Sequence, residues 1–196
     1  MNTTPSNPTT PPPLTPADPA PPLSGGLAAL EAIIRQPDRL WEPLRGPGSG
    51  RLTLTMLAFA LAGALGYGLV VGTFSGAVQL WAAPLKVAAG LFLSALICLP
   101  SLYLFAGLSG SRAGFGETAG LVAGLLLLMT VLLVGFAPVA WVFSQSTESV
   151  VAMGALHLVF WLVATVFGVR FLLAGFARRD ARSIEGQFFK IRYPAP

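Results

Sequence analysis

The chain has 196 residues, of which 54% are hydrophobic and only 10% charged, with a formal net charge of +4 and a mean hydropathy of +0.72. Water-soluble domains carry roughly a quarter charged residues, so an ordinary soluble globule is excluded, and the surplus basic residues flank apolar runs in a way that points to a membrane border and away from nucleic acid. Cys98 is the only cysteine and His157 the only histidine, which excludes an intramolecular disulfide and a His/Cys zinc cluster built from this chain alone.

Residues 1–23 are rich in Pro, Thr and Asn and contain no apolar face able to offset the entropy of folding. The segment lacks the basic start and apolar core of a signal peptide, so it is expected to be a disordered cytoplasmic tail with polyproline-II character. A docking ligand for a proline-recognising domain is the alternative. No basic residue flanks Pro11-Pro12-Pro13 to orient such binding.

Residues 24–50 form an amphipathic segment. Ser24 or Gly25 stands near a helix N-cap, and Leu27, Leu30, Ile33 and Ile34 recur at helical spacing, with Glu31 and Arg35 paired four apart. Pro37 ends this helix. With Trp41 between Arg39 and Arg45, the segment is expected to lie along the membrane surface. Packing against a cytoplasmic loop of the same protein is the other reading.

Four long apolar runs follow, at residues 52–72, 85–108, 118–143 and 150–176. At ~1.5 Å rise per residue each is long enough to cross a hydrocarbon core of roughly 30 Å. The expected fold is therefore an all-α membrane protein, with a bundle of four transmembrane helices over residues 51–177. Residues 178–196 are expected to form a basic cytoplasmic tail. Its Arg178, Arg179, Arg182, Lys190 and Arg192, interleaved with Phe188, Phe189 and Tyr193, are candidate contacts for anionic lipid headgroups.

Charge in the short loops sets an expected orientation. Arg35, Arg39, Arg45 and Arg51 precede the first run, Arg112 lies in the second link, and the basic cluster follows the last run. The first link has no charge and the third has only Glu148. The positive-inside rule then puts both termini and the middle link in the cytoplasm, N-in and C-in. Trp81, Trp141 and Phe143 fall near the expected outer border and Trp41 and Phe176 near the inner one, whereas Trp161 falls near mid-span and is expected to pack between helices.

Small residues recur every fourth position: Ala60, Ala64, Gly68 and Gly72 in the first span, Gly90, Ser94 and Cys98 in the second, Gly120 and Gly124 in the third. Such ridges let helix backbones approach closely where lipid gives no hydrophobic drive. They serve either packing within the bundle or self-association. Pro100 and Pro138 lie inside the second and third spans, where kinks are expected.

Five ionisable residues in or beside the spans are candidate polar or pairing positions: Arg170, Glu117, His157, Lys86 and Glu148. Arg170 is expected either to snorkel to the inner headgroups or to pair with Glu117. Lys86 and Glu148 are expected to meet at the outer border, and His157 to act as a hydrogen-bonding strut. Asp18, Asp38 and Asp180 all lie outside the runs, and no H-E-x-x-H or G-x-S-x-G motif occurs. No catalytic residue, cofactor site or metal site is assigned.

The stretch Ile33-Ile34-Arg35-Gln36-Pro37 through Trp41-Glu42-Pro43-Leu44, then Pro84-Leu85-Lys86 through Ile97-Cys98-Leu99-Pro100-Ser101-Leu102-Tyr103, resembles the Yip1-like family of small polytopic membrane proteins. The likeness is one of layout over roughly residues 28–176, with four spans in place of the family's usual five. It implies a membrane scaffold or accessory role without chemistry of its own. The expected function is a non-enzymatic scaffold or accessory subunit in a bacterial inner membrane, with other membrane proteins or a second copy as partners. A small oligomeric transporter or channel, and a membrane subunit of a larger enzyme complex, are the alternatives.

Overall fold

The computed structural model describes residues 26–46, 48–76, 78–108 and 114–192, the side chains of Asp38, Ser75 and 178–192 excepted. The described residues are helical and contain no strand. In chain order come α1 (Gly26–Arg35), a 3-10 turn (Pro37–Leu40), α2 (Ser49–Ser75), α3 (Gln79–Leu108), α4 (Phe115–Ser146) and α5 (Val150–Arg192). The last four are long and apolar enough to cross a bilayer, which makes this a multi-pass membrane protein. In hydrocarbon a backbone N–H finds no water, so each span satisfies its donors within its own helix. The expected tail, 1–23, lies outside the described residues.

Each helix overruns its apolar run. α3 starts at Gln79 and continues through both Pro84 and Pro100, although the run in the sequence begins only after Pro84. Pro84 lies in the second turn, where it removes one intrahelical bond, that to the Leu80 carbonyl. α4 likewise runs unbroken through Pro138. α5 continues past the apolar residues to Arg192, so the segment expected as a basic tail has helical backbone. Gly76 ends α2 with φ 65°, its N–H donating to the Gly72 carbonyl, and its left-handed backbone turns the chain into α3.

α4 is the centre of the bundle. It packs against α2, α3 and α5, and α2 packs against α3 as well. Its most apolar stretch is 56% buried, against 28% for α2, 17% for α5 and 11% for α3. Leu121, Leu126, Leu127 and Leu133 fill the interior from α4, facing Met56, Ala60 and Ala64 of α2. Lipid is as apolar as leucine, so this packing is held by close dispersion contact, and that requires low ridges.

The glycines supply them. A methyl group at Gly72 would lie 2.8 Å from the Gln79 carbonyl oxygen and 2.9 Å from Leu80 Cα, and one at Gly68 would fall on the backbone of Pro84. On α4, a methyl at Gly124 would meet the Phe171 ring at 2.9 Å, and one at Gly120 would meet Leu44 at 2.6 Å.

The α1 segment docks against the end of the bundle. Ala29, Ala32 and Ile33 are buried against α2 and α4, and Leu40 and Leu44 of the following turns are buried too. The apolar stripe read from the sequence is therefore divided: Ile33 faces inward, while Leu27 and Ile34 stay exposed on the outer side. Trp41 stacks on Phe171 with ring centroids 5.0 Å apart, over the bare backbone of Gly175.

Candidate functional site

Three polar or open features stand out from the apolar packing. The first is a groove with α4 as its floor and α3 and α5 as its walls, enclosing about 640 Å³. That lies within the range of small-molecule sites, roughly 300–1,000 Å³. On α3 the wall is low, because Gly90, Ser94 and Cys98 face the opening and all three are exposed. Leu125 and Met129 of α4 line the floor, and Trp161 and Thr165 of α5 the opposite wall. Lys86 closes one end, beneath the turns that join α2 to α3 and α4 to α5.

The second feature is buried. Tyr67 of α2 has no exposed surface, and its hydroxyl lies 2.7 Å from Nδ1 of His157 on α5. The rings meet edge to face at 5.8 Å, and Phe160, stacked on Phe136 at 4.7 Å, covers the imidazole from the next turn. One group donates and the other accepts, according to the histidine tautomer. His157 Nε2 is buried and has no partner among the described residues. The bond ties two helices that otherwise meet mainly through α4, which matches the strut expected of His157.

The third feature is an ion pair at the opposite end of the bundle. Arg45 Nε lies 2.7 Å from Glu117 Oε1, linking the N-terminal segment to the first turn of α4. Glu117 also complements the positive end of the α4 dipole. The expected Arg170–Glu117 pair is thereby corrected: the docked N-terminal segment brings Arg45 to the carboxylate. Arg170 is exposed and forms no ion pair among the described residues, which leaves the snorkelling reading.

The expected pairing of Lys86 with Glu148 is not formed either. Both side chains are exposed, and among the described residues neither has an ion-pair partner. Of the packing candidates, Ala64, Gly68, Gly72, Gly120 and Gly124 are buried in helix contacts, whereas Gly90 and Ser94 open on the groove. Trp161, expected between helices, is half-buried in the groove wall. The side chains of Arg178, Arg179, Arg182, Lys190 and Arg192 lie outside those described.

Sequence reasoning missed Tyr67 and Arg45. Tyr67 was findable in principle, because it lies about two to three turns before the end of α2, and His157 stands about two turns after the start of α5. Helices joined end to end through adjacent turns place those positions at one depth. The residues buried on α4 include Thr130, whose hydroxyl donates back to the carbonyls of Leu126 and Leu127, both at 3.0 Å. Among the described residues no group of three or more His, Cys, Asp or Glu could hold a metal ion.

No protein-family model matches this chain, and no curated protein or solved structure matches it either.

Proposed function

We propose that the chain is a non-enzymatic scaffold or accessory subunit of a membrane assembly, and that the outer side of α3 is the face it offers to a partner. One observation carries this reading. Of the 30 residues of α3, only Pro84, Ala88, Leu91 and Ala106 are buried. Leu93, Leu96, Ile97, Leu104 and Phe105 point away from the bundle. A helix held by so narrow a strip has most of its circumference available to a neighbouring transmembrane helix, where shape and van der Waals contact decide association. The resemblance to the Yip1-like family noted in the sequence would imply a role of the same kind.

The orientation belongs to the same proposal. Arg35, Arg39 and Arg45 before α2 and Arg51 in its first turn favour an N-in, C-in arrangement in a bacterial inner membrane. The Lys86 end of the groove then lies toward the outer leaflet, and the groove runs from there into the cytoplasmic half, where Val122 of α4 and Leu172 of α5 line it.

Photo-crosslinking from positions 93 and 97 of the tagged full chain, in native membranes, tests the reading. The expected result is a discrete adduct with one membrane polypeptide, or with a second copy, that is absent when the crosslinker stands at the buried position 127. Adducts with lipid alone from every exposed position would overturn it. So would solute flux catalysed by the purified chain in liposomes.

A further inference from the structure

We infer that the groove between α3 and α5 is a site for a single glycerophospholipid with an anionic headgroup, its acyl chain lying along the groove and its phosphate against Lys86.

The shape fits a chain. The groove runs from Lys86 down α3 to Leu102, about 24 Å at ~1.5 Å per residue, and its walls are apolar over most of that length. Gly90 and Ser94 keep the α3 wall low, so an acyl chain enters sideways from the bilayer without displacing a helix.

The charge fixes the headgroup. α3 has 30 residues, about 45 Å of helix against a hydrocarbon core of roughly 30 Å, so the core begins one to two turns inside each end. Lys86 lies about two turns in from Gln79, at or just below that boundary, a depth from which a lysine reaches the headgroups by snorkelling. It forms no ion pair among the described residues. An ammonium group at the mouth of an apolar cleft, at headgroup depth, is complementary to a lipid phosphate carrying net negative charge. A zwitterionic headgroup brings its own cation to the same place and gains less.

Lys86, Gly90 and Ser94 line the groove, and Leu93 and Ile97 are exposed beside it on the same side of α3, so the test reads the retained lipid and not a partner adduct. Native mass spectrometry of the full chain, released from nanodiscs of equal phosphatidylglycerol and phosphatidylcholine, tests it. The wild type is expected to retain one phosphatidylglycerol in preference to phosphatidylcholine. Lys86→Gln should cut that preference about fivefold, while Arg170→Gln, at the other end and on an exposed face, should leave it unchanged. Gly90→Leu should displace the lipid altogether, and a Cβ there meets nothing within 4 Å, so the bundle keeps its packing. Should that variant fail to fold, the Lys86→Gln comparison still decides the question. Equal retention of both lipids by the wild type, unchanged preference in Lys86→Gln, or a polypeptide adduct from a photo-crosslinker at position 94 would each overturn the proposal.

Discussion

Along α2, Ala60, Ala64, Gly68 and Gly72 recur every fourth residue; along α3, Gly90, Ser94 and Cys98 do the same. On α2 the ridge is consumed. Ala60 and Ala64 are fully buried, and Gly68 and Gly72 let the backbone of α3 come close enough that a methyl group would collide. On α3 nothing lies within 4 Å of a methyl built at Gly90, and the ridge becomes the low wall of a groove. The same spacing thus closes one seam and opens another. What decides the outcome is whether a second backbone is brought alongside, which depends on topology and lies beyond the spacing itself.

The sharpest way to break this contrast is a methyl on each ridge. Gly68→Ala forces α2 and α3 apart at Pro84, with an expected loss of about 1–3 kcal/mol. Reversible unfolding in bicelles, or a fall in the melting temperature in detergent, would measure it. A neutral Gly68→Ala would show that the two seams are not as different as their geometry suggests.

Trp41→Ala probes the docked N-terminal segment. It removes the Phe171 stack and leaves Gly175 uncovered, at an expected cost of about 2 kcal/mol, below the range for a fully buried tryptophan because Trp41 is half-buried. Hydrogen exchange across 26–46 should rise in this variant before exchange in α2 or α4 does. If protection fell everywhere together, the segment would be an integral part of the bundle and not a separately docked element.

Tyr67→Phe tests the link from α2 to α5. A double-mutant cycle with His157→Leu should give a coupling of about 0.6–1.7 kcal/mol, the span measured for hydrogen bonds within membranes. Zero coupling would reduce the pair to a packing contact.

The smallest effects are expected last. Arg45→Ala breaks an ion pair that is partly solvated, with side chains 35% and 20% exposed, so a change of at most about 1 kcal/mol is expected, diminishing with added salt. Gly90→Ala should alter stability by no more than about 0.5 kcal/mol, since the added methyl meets open space. Measured beside Gly68→Ala, it completes the comparison of the two ridges.

The four spans were legible in the sequence because hydropathy over twenty residues is a local property that lipid reads directly. Their ends were less so. Pro84 marked a boundary by its ordinary behaviour, yet α3 begins before it and runs through it, as membrane helices tolerate proline. The stripe of Leu27, Leu30, Ile33 and Ile34 was visible, but periodicity states only that one side is apolar. It does not say that Ala29 and Ala32 would be chosen for burial with Ile33, since small residues are what allow α1 to approach α2 and α4. Glu117 was matched with Arg170 by span position. Its actual partner, Arg45, is 72 residues distant, and reaches it only because the preceding segment folds back on the bundle. Lys86 was legible as an ionisable residue at the outer border of its span, while the groove beside it depends on how far α3 and α5 stand apart.

That α4 lies at the centre also constrains how the molecule is made. Helices emerge from the ribosome in chain order, so α2 and α3 enter the membrane as a hairpin before the helix that α2 needs most exists. During that interval Met56, Ala60 and Ala64 have no α4 to pack against. The Gly68–Pro84 and Gly72–Leu80 contacts hold the hairpin meanwhile, on the face of α2 nearest the turn. A chain stopped after residue 114 would therefore be an inserted but unfinished hairpin, with Met56, Ala60 and Ala64 left facing the bilayer.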